Sequence, residues 1–146
     1  MIILGVGGML GDAASAIVRD GQLASAVEEL KLIGRAARWG RREELPEHAI
    51  AACLSMAGVR AGEVDSIAIV RPITSGPGTP FYPQLRARFP NSRVVLVEHH
   101  MAHAAAAFYA SPFDDATVLT LDRTGDFRCG ARWNASGHTL ALEKES

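Results

Sequence analysis

Cysteine is scarce in this chain: two residues, Cys53 and Cys129, in unlike surroundings. That is too few for a disulfide framework, so both read as reduced thiols and a cytoplasmic setting is expected. Long apolar runs are missing as well. No stretch approaches the ~20 residues a membrane span requires, and MIILGVGG, with no basic flank before it, is a poor signal peptide. Charge of one sign is also lacking. Fifteen Lys and Arg against 16 Asp and Glu leave a net charge of −1, so no overall pull toward nucleic acid or an acidic membrane is expected. No internal repeat or low-complexity tract occurs. What remains is ordinary for a globular protein: 146 residues, 48% hydrophobic and 21% charged, enough for one domain with a real core.

The order of elements follows from periodicity and turn chemistry. IILGV reads as a strand and GGMLGD as a break. ASAIVRD, then Asp20-Gly21, then QLASAVEE reads as a hairpin, although Asp12 as the N-cap of a helix is a rival reading. Residues 31–44, mixing charge and glycine, predict a loop or a short irregular helix. LPEHAIAACLSMAG opens on proline, places Cys53 and Leu54 on an apolar face and closes at Gly58, which predicts a helix. VDSIAIV is a strand, RPITSGPGTP a loop, YPQLRARF a short helix and SRVVLVE a strand of the buried type. EHHMAHAAAAFY forms a helix stopped by SPFDD. ATVLTLD, FRCGARWN and HTLALEKES follow as three strands with turns at TGD and ASG. The pattern is α/β with a mixed sheet, then a meander. With no covering helix, that meander would leave one apolar face to water, and self-association through exposed strands is expected.

Three constellations carry possible chemistry. Gly5-Val-Gly7-Gly8-Met-Leu-Gly11 follows a strand but is not the dinucleotide fingerprint, since Leu10 stands at the last glycine place. Beside Asp12 it reads either as a plain turn or as a phosphate or metal–phosphate site. The basic run Lys31, Arg35, Arg38, Arg41 and Arg42 is balanced by Glu28, Glu29, Glu43 and Glu44 and reads as a solvated loop. His48 and His138 have no partner close in sequence and read as surface or structural residues. The segment 98–109 holds three of the five histidines. On a helix His99 and His103 project from one face, whereas His100 is turned away by about 100°. Asp122, closing the apolar strand ATVLTLD, offers a carboxylate where the end of a strand lines a ligand crevice. Two imidazoles and a carboxylate suit iron, zinc or manganese.

HHMAHAAAAFYASPFDDATVLTLD resembles the HHxxHAASAFYxSPFxxAxxLTLD segment of the O-carbamoyltransferases. The first hairpin, with its D-G turn and closing Glu28-Glu29, and PEHAIAACLSMAG followed by VDSIAIV, continue the likeness over nearly the whole chain. The resemblance implies a ribonuclease-H-like half-domain of the actin-like ATPase kind over residues 1–115. The opening strands of a second half would then occupy 116–146. It implies ATP and carbamoyl phosphate as co-substrates, a carbamoyl-adenylate and a small-molecule hydroxyl acceptor. A divalent metal, iron first with zinc or manganese as alternatives, would be held by His99, His103 and Asp122 in the cleft between the halves. Asp12, Gly125 and Asp126 would stand near the nucleotide. Three departures bear on activity. Gly11-Asp12 replaces a His-Asp pair, Leu30-Lys31-Leu32-Ile33-Gly34-Arg35 stands where the pattern reads like E-R-F-x-R-x-K-H, and Asp122-Arg123-Thr124-Gly125-Asp126 replaces D-G-x-G-E. Arg123 would either block phosphate or add a charge partner there. Because family members run to several hundred residues, further ligands and the carbamoyl-phosphate domain would lie outside this chain. A non-catalytic interaction domain of the same fold, or a dinucleotide-binding domain, are the rival expectations.

Overall fold

The computed structural model describes residues 1–8, 12–34, 45–70, 81–125 and 128–146. They form two compact units, Met1–Leu96 and Val97–Ser146.

The first unit is built on five strands: β1 (Ile2–Gly7), β2 (Ala14–Arg19), β3 (Gln22–Glu28), β4 (Ser66–Val70) and β5 (Arg93–Val97), in the order β3-β2-β1-β4-β5. β1, β2 and β3 are antiparallel neighbours, while β1 and β4 run parallel, so the sheet is mixed as expected. The turn between β2 and β3 is Asp20-Gly21, both at positive φ (51° and 82°), the conformation that matches the right-handed twist of the flanking strands. Residues 14–19 are therefore strand, and Asp12 caps no helix. Alternation along the strands decides which face is buried. Leu4 pairs with Ile17 on one side and Ile67 on the other, and Val6 pairs with Ile69, giving two rows of fully or nearly fully buried side chains.

Helices cover that face. The short α1 (Glu29–Ile33) follows β3 directly, then come α2 (Glu47–Ala57) and α3 (Phe81–Arg88). Ile50 and Cys53 of α2 and Leu85 of α3 are wholly buried in the same core. α2 has no capping side chain of its own. Its first amides are satisfied from outside by the buried Glu29, whose carboxylate accepts from the amides of His48 (3.3 Å) and Ala49 (2.6 Å). At the other end the Gly58 amide donates back to Leu54 and Ser55, the closure that the sequence predicts. β5 departs from expectation. It is an edge strand, and Val95 and Leu96 are 36% and 46% exposed, because an edge position cannot bury both faces of a VVLV run.

The second unit opens with α4 (His99–Tyr109), followed by β6 (Asp115–Gly125), β7 (Arg128–Ser136) and β8 (Thr139–Glu145), an antiparallel sheet in that order. The units part between Leu96 and Val97, and α4 packs on the strands that follow it. Ala104 and Phe108 of α4 bury against Val118, Ala131, Trp133 and Ala135. The meander therefore does have a covering helix, and only its far face is open, with Leu119 and Leu121 68% and 87% exposed. Among the described residues, no helix is long and apolar enough to cross a membrane.

Candidate metal centre

Glu98, extended and just ahead of α4, caps it by accepting from the amides of His100 (3.0 Å) and Met101 (2.7 Å). With the helix start pinned in this way, His99 and His103 rise from its first two turns on one face. β6 runs against the other side of the same corner. Its period of two puts Val118 and Thr120 inward and carries Asp122 to the same face. Gly130 on β7 lets the strands close at this point: a Cβ there would meet the Thr120 carbonyl oxygen at 2.8 Å and Leu121 Cδ2 at 3.0 Å.

The three side chains converge. His99 Nε2 lies 2.7 Å from Asp122 Oδ2 and 3.1 Å from His103 Nε2, and His103 Nε2 lies 4.0 Å from Asp122 Oδ2. Donors bound at about 2.1 Å to one ion stand roughly 3.0–3.4 Å apart, and the observed separations bracket that span. A single ring nitrogen offers one in-plane lone pair or one N–H, yet His99 Nε2 faces two partners. Bare, it turns its lone pair toward the Asp122 carboxylate; protonated, its one N–H must serve two acceptors or meet a second N–H, and a shared cation removes either conflict. The donor set therefore fits a divalent metal with mixed nitrogen and oxygen preference. Side-chain exposures of 27% for His99, 34% for Asp122 and 58% for His103 leave room for further ligands. Loss of solvent, and then the neighbouring His99, hold His103 below the ordinary histidine value of 6.5; Asp122 pulls the other way more weakly. A neutral imidazole is the form that binds metal.

The remaining sequence-derived residues lie elsewhere or beyond description. Asp12 sits exposed in the connection from β1 to β2, within the first unit. Nearby Gly8, at φ +69°, could not carry a Cβ without striking the Asp12 carbonyl. Gly125 closes β6 opposite Arg128. Asp126 and Gly11 fall outside the described residues, as do residues 35–44 with most of the basic run. Arg123 is exposed on β6, next in sequence to Asp122. Two further histidines are built into the fold, His48 as one of the two readings of it expects. His48 meets buried Glu29, Nδ1 to Oε1 2.7 Å. His100, wholly buried, meets Thr120. The second contact left a signal, since His100, Ala104 and Phe108 recur every four residues and mark the core face of α4.

Comparison with known proteins bears on the family and the fold. Residues 83–145 match the family described as carbamoyltransferase N-terminus. The nodulation protein NolNO of Sinorhizobium fredii is 33% identical over 86% of this chain and 21% of its own length. An uncharacterized Synechocystis protein, sll1178, is 27% identical over 94% of this chain and 28% of its own. The chain thus spans only about a fifth to somewhat over a quarter of these relatives. Among solved structures, YeaZ from Pseudomonas aeruginosa superposes with a TM-score of 0.63 at 15% identity, covering 99% of this chain and 65% of that one. The ROK hexokinase of Thermus thermophilus gives 0.60 at 18%, covering 99% of this chain and 49% of that one. Both likenesses concern the fold, that of the actin-like ATPases. These matches support the reading of the chain as an N-terminal portion of an O-carbamoyltransferase.

Proposed function

We propose that this chain is the metal-holding part of an ATP-dependent O-carbamoyltransferase, in which carbamoyl phosphate and ATP yield a carbamoyl-adenylate and the carbamoyl group passes to a small-molecule hydroxyl. The observation that carries the proposal is the convergence of His99 Nε2, His103 Nε2 and Asp122 Oδ2 at one point. A divalent ion held there, iron first with zinc or manganese as alternatives, supplies positive charge to phosphate oxygens. Asp12, Gly125 and Asp126 are assigned to the nucleotide. Arg123, where the family pattern has glycine, favours a second reading, a domain that keeps the fold without the chemistry. The complete triad weighs against it, because a decayed site has no reason to keep all three ligands.

The test is elemental analysis of the purified chain beside His99→Ala and Asp122→Ala. Near-stoichiometric iron, zinc or manganese in the parent, lost in both variants, is the expected result. A parent chain that takes up no metal on incubation with each of the three would overturn the metal assignment. The chain by itself is expected to be inactive in carbamoyl transfer. Product formed from ATP, carbamoyl phosphate and an acceptor without another subunit would contradict that.

A further inference from the structure

His100 lies next to a ligand but cannot be one, because it points into the core. It is wholly buried, the only charged-type ring among the large fully buried side chains described. A buried imidazole is unfavourable unless its polar atoms are engaged, and here both ring nitrogens are. Nδ1 lies 2.9 Å from Thr120 Oγ1 and Nε2 lies 3.3 Å from the Arg128 carbonyl oxygen. Thr120, itself 6% exposed, reaches on to the Ala131 carbonyl at 3.3 Å. One side chain of α4 is thereby tied to both β6 and β7.

The position of these ties matters. His100 follows ligand His99 directly and stacks edge-on against its ring, with centroids 5.4 Å apart and planes at 80°. Thr120 precedes ligand Asp122 by two residues on the same face of β6. The contact from His100 to Thr120 thus sets how far the helix carrying His99 and His103 stands from the strand carrying Asp122. It also sets their relative register. An apolar side chain of similar size would fill the same space but leave that register to shape alone.

We infer that His100, acting with Thr120, is a positioning residue for the metal centre. It holds the ligand helix against the ligand strand and limits the rotation of the His99 ring. The inference rests on the metal reading above and deepens it. It assigns a role to a side chain that touches no ion.

The test uses the 146-residue chain and cobalt(II), whose visible bands report coordination geometry. Cobalt affinity and spectrum are compared for the parent chain, His100→Phe, His100→Asn and Thr120→Val, each first shown by circular dichroism to be folded. Asparagine can place an amide nitrogen where Nδ1 stands. Side chains that orient metal ligands contribute about 10–100-fold to affinity, so Phe is expected to lose that much and to alter the cobalt bands. Asn should recover most of the affinity and the parent spectrum. If His100→Phe does not fold, Thr120→Val, which removes the same tie from the strand side with little change of volume, is expected to show the loss. Folded His100→Phe or Thr120→Val with parental affinity and an unchanged spectrum would overturn the inference while leaving the metal assignment intact. A parent chain that binds no cobalt would instead remove the metal assignment and, with it, the inference.

Discussion

Two carboxylate–imidazole pairs in this molecule have the same 2.7 Å separation and opposite uses. In the first unit, Glu29 is buried, and its oxygens are already engaged by the His48 and Ala49 amides at the start of α2. Its attraction to His48 completes a helix cap. In the second unit, Asp122 is a third exposed, and the His99 nitrogen it meets also faces His103. What separates a structural pair from a ligand pair is therefore not the distance between two groups. It is the presence of a third donor at the same point, together with access for an ion.

The comparison can be broken most sharply by removing one imidazole from each pair. His99→Ala is expected to lower zinc or cobalt affinity by more than about 100-fold, above the upper range for residues that merely orient ligands. His48→Ala should leave it unchanged. Competition with a chromogenic chelator measures both. Removing the acidic partner instead tests the structural pair. Glu29→Ala leaves two amides at a helix start without acceptors and should cost about 2 kcal/mol of stability, read from a denaturant midpoint. Glu29→Gln, which keeps an acceptor, should cost less, and metal affinity should not respond to either.

A smaller effect comes from pH. His103 is held below 6.5 in the folded chain, so the unfolded chain binds more protons as pH falls through that range. The stability His103 contributes is present above about pH 6.5 and declines below it. Replacing His103 by Gln should flatten the pH dependence of the unfolding midpoint between about pH 7.5 and 5.5. Cobalt binding by the parent should weaken over the same interval as protons compete for the imidazoles. The smallest change is expected at Trp133. It is 2% exposed, and its indole N–H has no hydrogen-bond partner among the described residues. Trp133→Phe loses packing but also removes a buried, unsatisfied donor. Its stability should stay within about 1 kcal/mol of the parent.

How much of this was legible in the sequence depends on how far apart the partners lie. The hairpin at Asp20-Gly21, the helix ending at Gly58 and the His99–His103 face are local patterns, set by turn chemistry and helical period. Asp122 could be named because it closes the apolar stretch ATVLTLD, although β6 itself runs on to Gly125. Glu29 capping α2 could not, since its partners lie 19 and 20 positions away on another element and nothing local marks a carboxylate as another helix's cap. The same limit explains the β5 edge. VVLV has the composition of a buried strand, but sheet order, not composition, decides whether a neighbour covers it. His100 was set aside for pointing away from the ligand face, which is correct. The residue waiting on the other side, Thr120, is visible only once α4 and β6 are packed.

Glu98, at the start of α4, carries a last consequence through loop closure. His99 and Asp122 are separated by 23 positions of chain, and the capped helix already lies against its strand through Ala104, Phe108 and Val118. A chelating ion in an unfolded chain must bring such ends together against chain entropy. Here the fold has closed the loop beforehand, so ion binding has little further freedom to remove, and affinity is set by the ligands themselves.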